Sequence, residues 1–236
     1  MGIIYKPKGK ALEYAPLACN LYNGCAHGCI YCYCNNMRFL NFKEKSQNPT
    51  PRKDVVKQIQ KELHRNVFSE RINLCFTSDP YQPAEEEYCI TQQVINLFRQ
   101  HNTPYSILTK AATLPLRDIE TFKNSDCWYG ATLTSFGQEK EKWEPNTEST
   151  EKRIETLKIM NSHGIKTWAS IEPLINSESA CKIIEQIPFA EIIWIGKLNY
   201  QGKKTTKADI IPIIEAAEKF GANIRFKIET QQIYDN

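Results

Sequence analysis

The 236-residue sequence lacks several features that would assign a protein to a broad class at once. No stretch approaches the roughly 18 uninterrupted apolar residues of a membrane-spanning helix. No charged and then apolar leader precedes the first motif, and Lys6 stands where an N-myristoylation signal has Ser or Thr. Internal repeats and low-complexity tracts are also missing. These absences predict a cytoplasmic protein without a membrane partner.

Positive and negative charges are also nearly balanced. The formal net charge is +3, from 30 basic and 27 acidic residues, and it neither indicates nor excludes a nucleic-acid partner. The nine cysteines are an odd number, and six of them stand singly, which is not typical of a disulfide framework. We therefore expect a reducing compartment, and a single domain over residues 1–236, because α/β barrels of this length form one unit.

The other three cysteines are crowded into one short segment. Cys25, Cys29 and Cys32 have the spacing CxxxCxxC, and a glycine precedes each of the first two. Three thiolates on a [4Fe-4S] cluster would hold three irons and leave the fourth open to another ligand. The spacing differs from the ferredoxin patterns CxxCxxC and CxxxxCxxC. The loop over residues 23–34 therefore predicts a cluster site with an open iron.

Two other interpretations of this loop stay open on spacing alone. One is a zinc module, with Cys19, His27 or Cys34 as the fourth ligand, since zinc sites use similarly short spacings. Such a module could bind nucleic acid without catalysis. The other is an electron-transfer protein, in which Cys19 or Cys34 would give the cluster a fourth thiolate.

Short apolar runs and segments of helical period alternate after the cysteine loop. Helices are predicted at residues 53–65, 87–101, 149–163 and 207–220. Strands are predicted near residues 17–22, 72–77, 105–109, 128–134, 166–171, 191–195 and 224–228. The polar segment Asn41–Pro51 is predicted to be a loop. The alternation predicts an α/β fold with a parallel sheet of six or seven β-α units, fewer than a closed barrel needs.

Reactive side chains follow several of the predicted strands. The cysteine loop follows the first, Ser78 and Asp79 the second, and Lys110 the third. Glu172 follows the fifth strand and would point into the mouth of a barrel. Because the carboxyl ends of parallel strands meet at one edge, we expect these groups to share a site.

Four blocks of sequence carry a resemblance to a known family. They are GKALEYAPLACNLYNGCAHGCIYCY at 9–33, TSDPYQP at 77–83, LTK at 108–110 with LRD at 116–118, and WEP at 143–145 followed by Arg153. Together they resemble the radical S-adenosylmethionine (SAM) superfamily, in particular the branch of spore photoproduct lyase and the DNA repair photolyase-like proteins. The resemblance covers nearly the whole chain and implies a partial (β/α)6 barrel of the TIM type.

The resemblance also implies an enzyme with two cofactors. A [4Fe-4S] cluster on Cys25, Cys29 and Cys32 would bind SAM at its open iron and cleave it reductively, and the resulting radical would abstract hydrogen from a substrate. A flavodoxin- or ferredoxin-type protein would donate the electron. Nucleic acid is the substrate class favoured by analogy, which is a weak argument because one fold hosts many functions.

Individual residues acquire expected roles from the same resemblance. Tyr31 would lie near the adenine of SAM, Ser78 near its amino group and Lys110 at its carboxylate. Glu172 would contact SAM or the substrate. The alternatives are a helix cap for the serine, an exposed lysine and a surface salt bridge. Weaker candidates for substrate or phosphate contacts, or for structural ion pairs, are Glu144, Arg153, Lys197, Tyr200, Glu229, Lys203, Lys204 and Lys207.

Two departures from the pattern of the branch bear on the substrate. Spore photoproduct lyase has a hydrogen-donating cysteine where this chain has Phe76, and the neighbouring Cys75 would face the other side of a strand. Tyr31 and Tyr33, which flank the third cysteine, are retained. The stretch Cys34-Asn-Asn also differs from the branch. The missing donor argues against thymine-dimer reversal as the activity.

Overall fold

The computed structural model describes residues 2–36, 41–200 and 203–236. Its strands are β1 (Ile4–Tyr5), β2 (Leu17–Cys19), β3 (Tyr22–Asn23), β4 (Thr50–Pro51), β5 (Ile72–Leu74), β6 (Tyr105–Thr109), β7 (Cys127–Thr132), β8 (Lys166–Ile171), β9 (Ile192–Ile195), β10 (Asn199–Tyr200), β11 (Lys203–Lys204) and β12 (Ile224–Phe226). Its helices are α1 (Phe42–Gln47), α2 (Val55–Arg65), α3 (Ala84–Tyr88), α4 (Ile90–Gln100), α5 (Ile119–Lys123), α6 (Gly137–Trp143), α7 (Thr150–Ser162), α8 (Ser177–Gln186), α9 (Lys207–Phe220) and α10 (Ile228–Asp235). Short 3-10 helices cover Gly9–Glu13, Tyr33–Asn36 and Leu114–Asp118.

An eight-stranded sheet in the order β1-β2-β5-β6-β7-β8-β9-β12 forms the centre of the molecule. β1 pairs antiparallel with β2 at one edge, and the other seven strands run parallel to one another. The two edge strands do not pair with each other, so the barrel is open. The predicted α/β fold with a partial parallel barrel is confirmed.

The two faces of this sheet differ in chemistry. Neighbouring residues of paired parallel strands share a face, and successive residues alternate. The outer face packs against the helices and makes the apolar core, with Leu74, Ile107, Tyr129, Ala169 and Ile193 fully buried. The inner face carries Asn73, Ser106, Gly130, Trp168 and Trp194. Asn73 pairs with Ser106 and Gly130 with Trp168, and each of the five directly precedes or follows a core residue of its own strand. The barrel interior is therefore polar and aromatic.

Three of the four predicted helices match α2, α7 and α9 closely. The fourth prediction, residues 87–101, is divided at Cys89, whose φ of 48° ends α3 before α4 begins. A capping box between Thr206 and Asp209 starts α9, and Gly221 at φ 68° ends it, so local signals fix both ends. No helix within the described ranges is long and apolar enough to cross a membrane.

The prediction of a loop over Asn41–Pro51 is wrong. The segment forms α1 and then β4, which pairs antiparallel with β3 just before the cysteine loop. Phe42 is the one buried residue of α1, so the sequence shows no apolar periodicity there. Tertiary contacts, which periodicity cannot reveal, stabilise this short helix.

Candidate functional site

The cysteine loop begins where β3 ends, and glycines set its path. Gly24 has a φ of 81°, and a Cβ at this position would collide with the carbonyl of Lys45 in α1. Gly28 has a φ of 64° and lies 3.2 Å, measured from an ideal Cβ, from the side-chain amide of Asn146. Both positions require a left-handed backbone in a crowded place, which glycine adopts without strain.

The block at residues 77–83 fastens the first half of the loop. The N–H of Ala26 donates to Gln82 Oε1 at 3.0 Å, and Gln82 Nε2 donates to the carbonyl of Gly24 at 3.2 Å. The ring of His27 places Nδ1 3.4 Å from Asp79 Oδ2. From α1, Ser46 Oγ accepts the N–H of Cys25 at 3.2 Å.

The block that starts at residue 143 fastens the second half. The N–H of Ile30 donates to the carbonyl of Trp143 at 3.0 Å. Asn146 donates its backbone N–H to the carbonyl of His27 at 3.4 Å and its side-chain amide to that of Ala26 at 3.2 Å. Blocks more than fifty and more than a hundred residues away thus meet on one loop.

A buried ion pair supports this second contact. Tyr31 donates its hydroxyl to Glu144 Oε1, and Arg153 Nη1 lies 2.7 Å from Glu144 Oε2. Both charged side chains are completely buried. The guanidinium also donates to the carbonyl of Thr132 at 2.8 Å and to that of Glu148 at 2.6 Å. Arg153, on α7, thereby connects the end of β7 to the cysteine loop.

The charges around Tyr31 compensate one another. Burial alone would raise the pKa of Glu144, but Arg153 and Lys110 outweigh it and the pKa is lowered. Burial and then the Glu144 carboxylate raise the pKa of Tyr31 well above its usual value, so its hydroxyl stays a donor. Lys110 Nζ lies 5.7 Å from the centroid of the Tyr31 ring, a cation–π distance. Two predicted SAM contacts are therefore adjacent.

Asp79 and Ser78 have different environments. Asp79 accepts the hydroxyl of Thr109 at 2.7 Å, the N–H of Lys110 at 2.7 Å and the N–H of Tyr81 at 2.8 Å. This carboxylate therefore ties the end of β5 to the end of β6, a structural role. The hydroxyl of Ser78 is buried and lies beside the thiol of Cys75, with which it forms a hydrogen bond.

Glu172 belongs to a second cluster, away from these contacts. It follows β8 as predicted, and its Oε2 accepts the hydroxyl of Tyr14 at 2.5 Å. That hydroxyl also lies 2.7 Å from Ser170 Oγ. The ammonium of Lys227 lies 3.0 Å from the centroid of the Tyr14 ring. The sequence did not single out Tyr14 or Lys227 as site residues.

The remaining candidates lie at the periphery. Lys197 Nζ and Lys10 Nζ each lie 2.8 Å from Glu229 Oε2, in a partly exposed ion-pair group. Lys207 lies 5.4 Å from the centroid of the Tyr234 ring. The side chains of Tyr200 and Lys203 lie outside the described part of the structure.

Comparison with known families decides the class of the protein. The sequence model of the radical SAM superfamily matches residues 19–187, which include the cysteine loop and the blocks that fasten it. The chain belongs to the radical SAM superfamily. It is therefore an enzyme of the class that cleaves SAM with an iron-sulfur cluster, and nothing in the comparisons supports the non-catalytic module.

Relatives of this radical SAM enzyme occur in archaea and bacteria. An uncharacterized protein of Methanocaldococcus jannaschii is 32% identical over 194 residues, which are 80% of this chain and 72% of that protein. An uncharacterized protein of Mycobacterium bovis is 33% identical over 118 residues, 48% of this chain. The aligned part is only 34% of the mycobacterial protein, which is much longer than the matched region.

Solved radical SAM structures share the fold. A spore photoproduct lyase variant with bound AdoMet and dinucleoside spore photoproduct superposes with a TM-score of 0.69 at 14% identity, over 95% of this chain and 78% of that one. Streptococcus suis SuiB gives a TM-score of 0.61 at 15% identity, over 88% of this chain and 48% of that one. The resemblance to spore photoproduct lyase is thus confirmed for the fold.

The thiols of this radical SAM enzyme suit a metal cluster chemically. All nine cysteines are free, and four of them, Cys25, Cys29, Cys32 and Cys34, lie on the loop. Burial raises the pKa of Cys25 to about 12 and that of Cys29 to about 11, whereas a hydrogen bond with Cys34 lowers the pKa of Cys32. Buried thiolates need nearby positive charge, which iron would supply. Within the described ranges, no three His, Cys, Asp or Glu side chains already stand together as metal ligands.

Sequence reasoning missed the residues that hold the loop and the second cluster. Gln82 and Asn146 act through amides, and only their position in or beside the matching blocks could have singled them out. Lys227 fell inside a predicted strand, but β12 ends at Phe226 and the lysine occupies the N-cap position of α10 instead.

Proposed function

We propose that this enzyme holds a [4Fe-4S] cluster on Cys25, Cys29 and Cys32, cleaves SAM reductively and abstracts hydrogen from a substrate. The supporting observation is the convergence of the blocks at 77–83 and 143–146 on the cysteine loop, through five hydrogen bonds and the contact between His27 and Asp79.

Residues near the loop suit the binding of SAM. Tyr31 presents an aromatic ring to which an adenine could be held, and its hydroxyl is fixed by Glu144. Ser78 has a buried hydroxyl beside the thiol of Cys75, and Lys110 brings an ammonium to the ring of Tyr31. We assign the amino group of SAM to the serine and its carboxylate to the lysine. Glu172 is assigned to the substrate side of the site, with Tyr14.

The protein's part in the reaction is positional. When bound, the cluster and SAM supply the radical chemistry. Arg153 fixes Glu144, Glu144 fixes Tyr31, and Gln82 and Asn146 fix the backbone on either side of the cysteines. Holding these groups rigid and away from water keeps SAM and substrate aligned.

The proposal also covers the electron donor, the cellular location and the class of substrate. We propose a flavodoxin- or ferredoxin-type reductant, a cytoplasmic location and a nucleic-acid substrate. The solved neighbour whose structure contains a dinucleoside spore photoproduct supports the substrate class by fold alone. Phe76 in place of a hydrogen-donating cysteine means that hydrogen return, if any, uses another group.

The decisive experiment is anaerobic reconstitution followed by addition of reductant and SAM. We expect about four irons per chain and formation of 5′-deoxyadenosine, both lost in Cys29→Ala. The matched control is Cys181→Ala, since Cys181 is a free, partly exposed cysteine on α8. Zinc in place of iron, or a cluster that leaves SAM intact, would contradict the proposal.

A second variant tests the electron-transfer alternative. The hydrogen bond between Cys34 and Cys32 places the Cys34 thiol next to a proposed cluster ligand, so it is the first candidate for a fourth thiolate. A fourth thiolate from Cys34 would make the cluster depend on this residue. We expect Cys34→Ala to retain the cluster and to cleave SAM. Loss of the cluster in this variant, with Cys19→Ala intact, would favour electron transfer.

A further inference from the structure

A second cluster of polar and aromatic side chains lies inside the barrel, apart from the cysteine loop. We call it the Tyr14 pocket, and it consists of Tyr14, Trp168, Ser170, Glu172, Trp194 and Lys227. Tyr14 comes from the segment before β2, Trp168 and Ser170 from β8, and Trp194 from β9. Glu172 directly follows β8, and Lys227 directly follows β12. Ser170 and Trp194 are register partners on the inner face of the sheet.

Aromatic rings form the walls of this pocket. The ring of Tyr14 lies 5.7 Å from that of Trp168 and 6.1 Å from that of Trp194, measured between centroids. Phe76 follows at 6.2 Å. The carbonyl of Phe76 accepts the hydroxyl of Tyr33 at 2.5 Å, so the pocket adjoins the cysteine loop. A planar group held here would lie beside the proposed cluster site.

The pocket contains a buried ammonium that makes no hydrogen bond within the described residues. The side chain of Lys227 is only 3% exposed, and its ammonium makes no hydrogen bond to any described residue. It lies 3.0 Å from the centroid of Tyr14 and 4.7 Å from that of Trp194. The nearby carboxylate of Glu172 already accepts the hydroxyl of Tyr14. Buried charged groups are normally paired, so an unpaired ammonium needs an explanation.

A second buried donor is also unsatisfied. The indole N–H of Trp168 has no acceptor among the described residues, although the residue is 4% exposed. Unsatisfied donors destabilise a folded protein, and a ligand that supplied an acceptor to either donor would remove that cost.

There is room for a ligand next to this pocket. Trp194 also lines a cavity of about 440 Å³, together with Arg225 and Phe226. Arg225 is the register partner of Trp194 and therefore lies on the same face of the sheet. The cavity also contains the carboxylate of Glu13, which accepts the N–H of Ile228. Lys227 Nζ lies 4.7 Å from the centroid of the same Trp194 ring. The ring and the two cations suit a planar group that carries negative charge.

We propose that Lys227 binds an oxyanion, a carboxylate or a phosphate, of a substrate whose planar ring packs against Tyr14 and Trp194. This inference rests on the proposed function only because it takes the ligand to be the substrate. Binding of the oxyanion requires neither cluster reduction nor SAM cleavage. The binding proposal and the proposed function can therefore fail independently.

The test uses two matched pairs of probes with the full-length, reconstituted protein in the presence of SAM. Uridine 5′-monophosphate is compared with uridine, and benzoate with benzamide, by calorimetric titration. We expect the acid of at least one pair to bind about tenfold or more tightly than its neutral counterpart. The pair that shows the preference distinguishes a phosphate source from a carboxylate source.

Two variants complete this test. Lys227→Met should abolish the preference for the acid, whereas Lys219→Met should retain it, because Lys219 is an exposed lysine over the ring of Phe220. No preference in the unmodified protein, or one that survives Lys227→Met, would overturn the proposal. Formation of 5′-deoxyadenosine, measured in parallel, reports on the proposed function alone.

A third measurement needs no ligand at all. In the ligand-free protein the buried ammonium of Lys227 has no hydrogen bond and should not stabilise the fold. Replacing it by the apolar side chain of Met should therefore leave the melting temperature unchanged or raise it. A fall of several degrees in Lys227→Met, without a fall in Lys219→Met, would identify a structural cation–π contact and overturn the proposal.

Discussion

Two of the buried basic side chains, Arg153 and Lys227, have opposite surroundings. Arg153 is completely buried and has a carboxylate, two carbonyls and a hydroxyl as partners. Lys227 is 3% exposed and has two aromatic rings but no hydrogen-bond acceptor among the described residues. One cation is fully compensated within the chain and the other is not.

This difference separates positioning from binding. A buried charge with all its partners supplied by the protein fixes other residues, as Arg153 fixes Glu144 and thereby Tyr31. A buried charge without partners reduces stability and has a use only if something else supplies them. We therefore expect opposite responses when each charge is removed, and the following predictions test that expectation.

The largest effect should follow removal of the compensated cation. Arg153→Met leaves Glu144 buried without its ion-pair partner, with Lys110 as the remaining positive charge, so the free energy of unfolding should fall by about 3 kcal/mol. Anaerobic urea unfolding measures this. The control is the double variant Arg153→Met with Glu144→Gln, which removes both charges and should recover much of the loss. If Arg153→Met lowers the free energy of unfolding by less than about 1 kcal/mol, the ion pair contributes little, and Arg153 no longer differs from Lys227 in its effect on stability.

The next effect is the pH dependence caused by Lys227. Burial lowers its pKa from 10.5 to about 8, and this outweighs the opposing charges of Glu172 and Glu13, while Lys10 adds a small lowering. Below pH 8 the folded and unfolded chains both carry the proton. As the pH rises from about 8 to 10.5, the folded chain loses it first, so stability rises relative to a chain without the lysine.

The measurement is the difference in unfolding free energy between the protein and Lys227→Met at several pH values. Relative to the variant, the protein should gain up to about 3 kcal/mol across this range. Tyr14 does not interfere, because burial raises its pKa well above this range. A difference that stays constant with pH would mean that the lysine is not destabilised by burial.

A smaller effect should follow loss of the Tyr31 hydroxyl. Tyr31→Phe removes a hydrogen bond to a buried carboxylate that Arg153 still holds, so we expect a loss of about 1.5 kcal/mol. Tyr33→Phe is the matched control, because its hydroxyl bonds to the carbonyl of Phe76 at an exposed position. If the two variants lose the same free energy of unfolding, the hydrogen bond of Tyr31 to the buried carboxylate of Glu144 is worth no more than an exposed hydrogen bond.

The comparison also explains what the sequence could and could not reveal. The strands and the cysteine loop were predictable because apolar period and cysteine spacing are local signals. Contacts across the chain were not: Tyr14 and Glu172 are 158 residues apart, and no local pattern joins them. Lys227 looked like an ordinary strand residue, since its burial depends on Trp194 and Tyr14.

The smallest effect should come from a third group of charges, at the surface. Lys10 Nζ lies 2.8 Å from Glu229 Oε2, as near as the atoms of the buried pair, but the two side chains are 46% and 40% exposed. Water and salt screen such a pair, so Lys10→Met should change the free energy of unfolding by less than about 1 kcal/mol, and less still at high salt. Urea unfolding at two salt concentrations measures this. A loss as large as that of Arg153→Met would mean that proximity of charges, and not the completeness of their burial and pairing, decides their weight in this barrel.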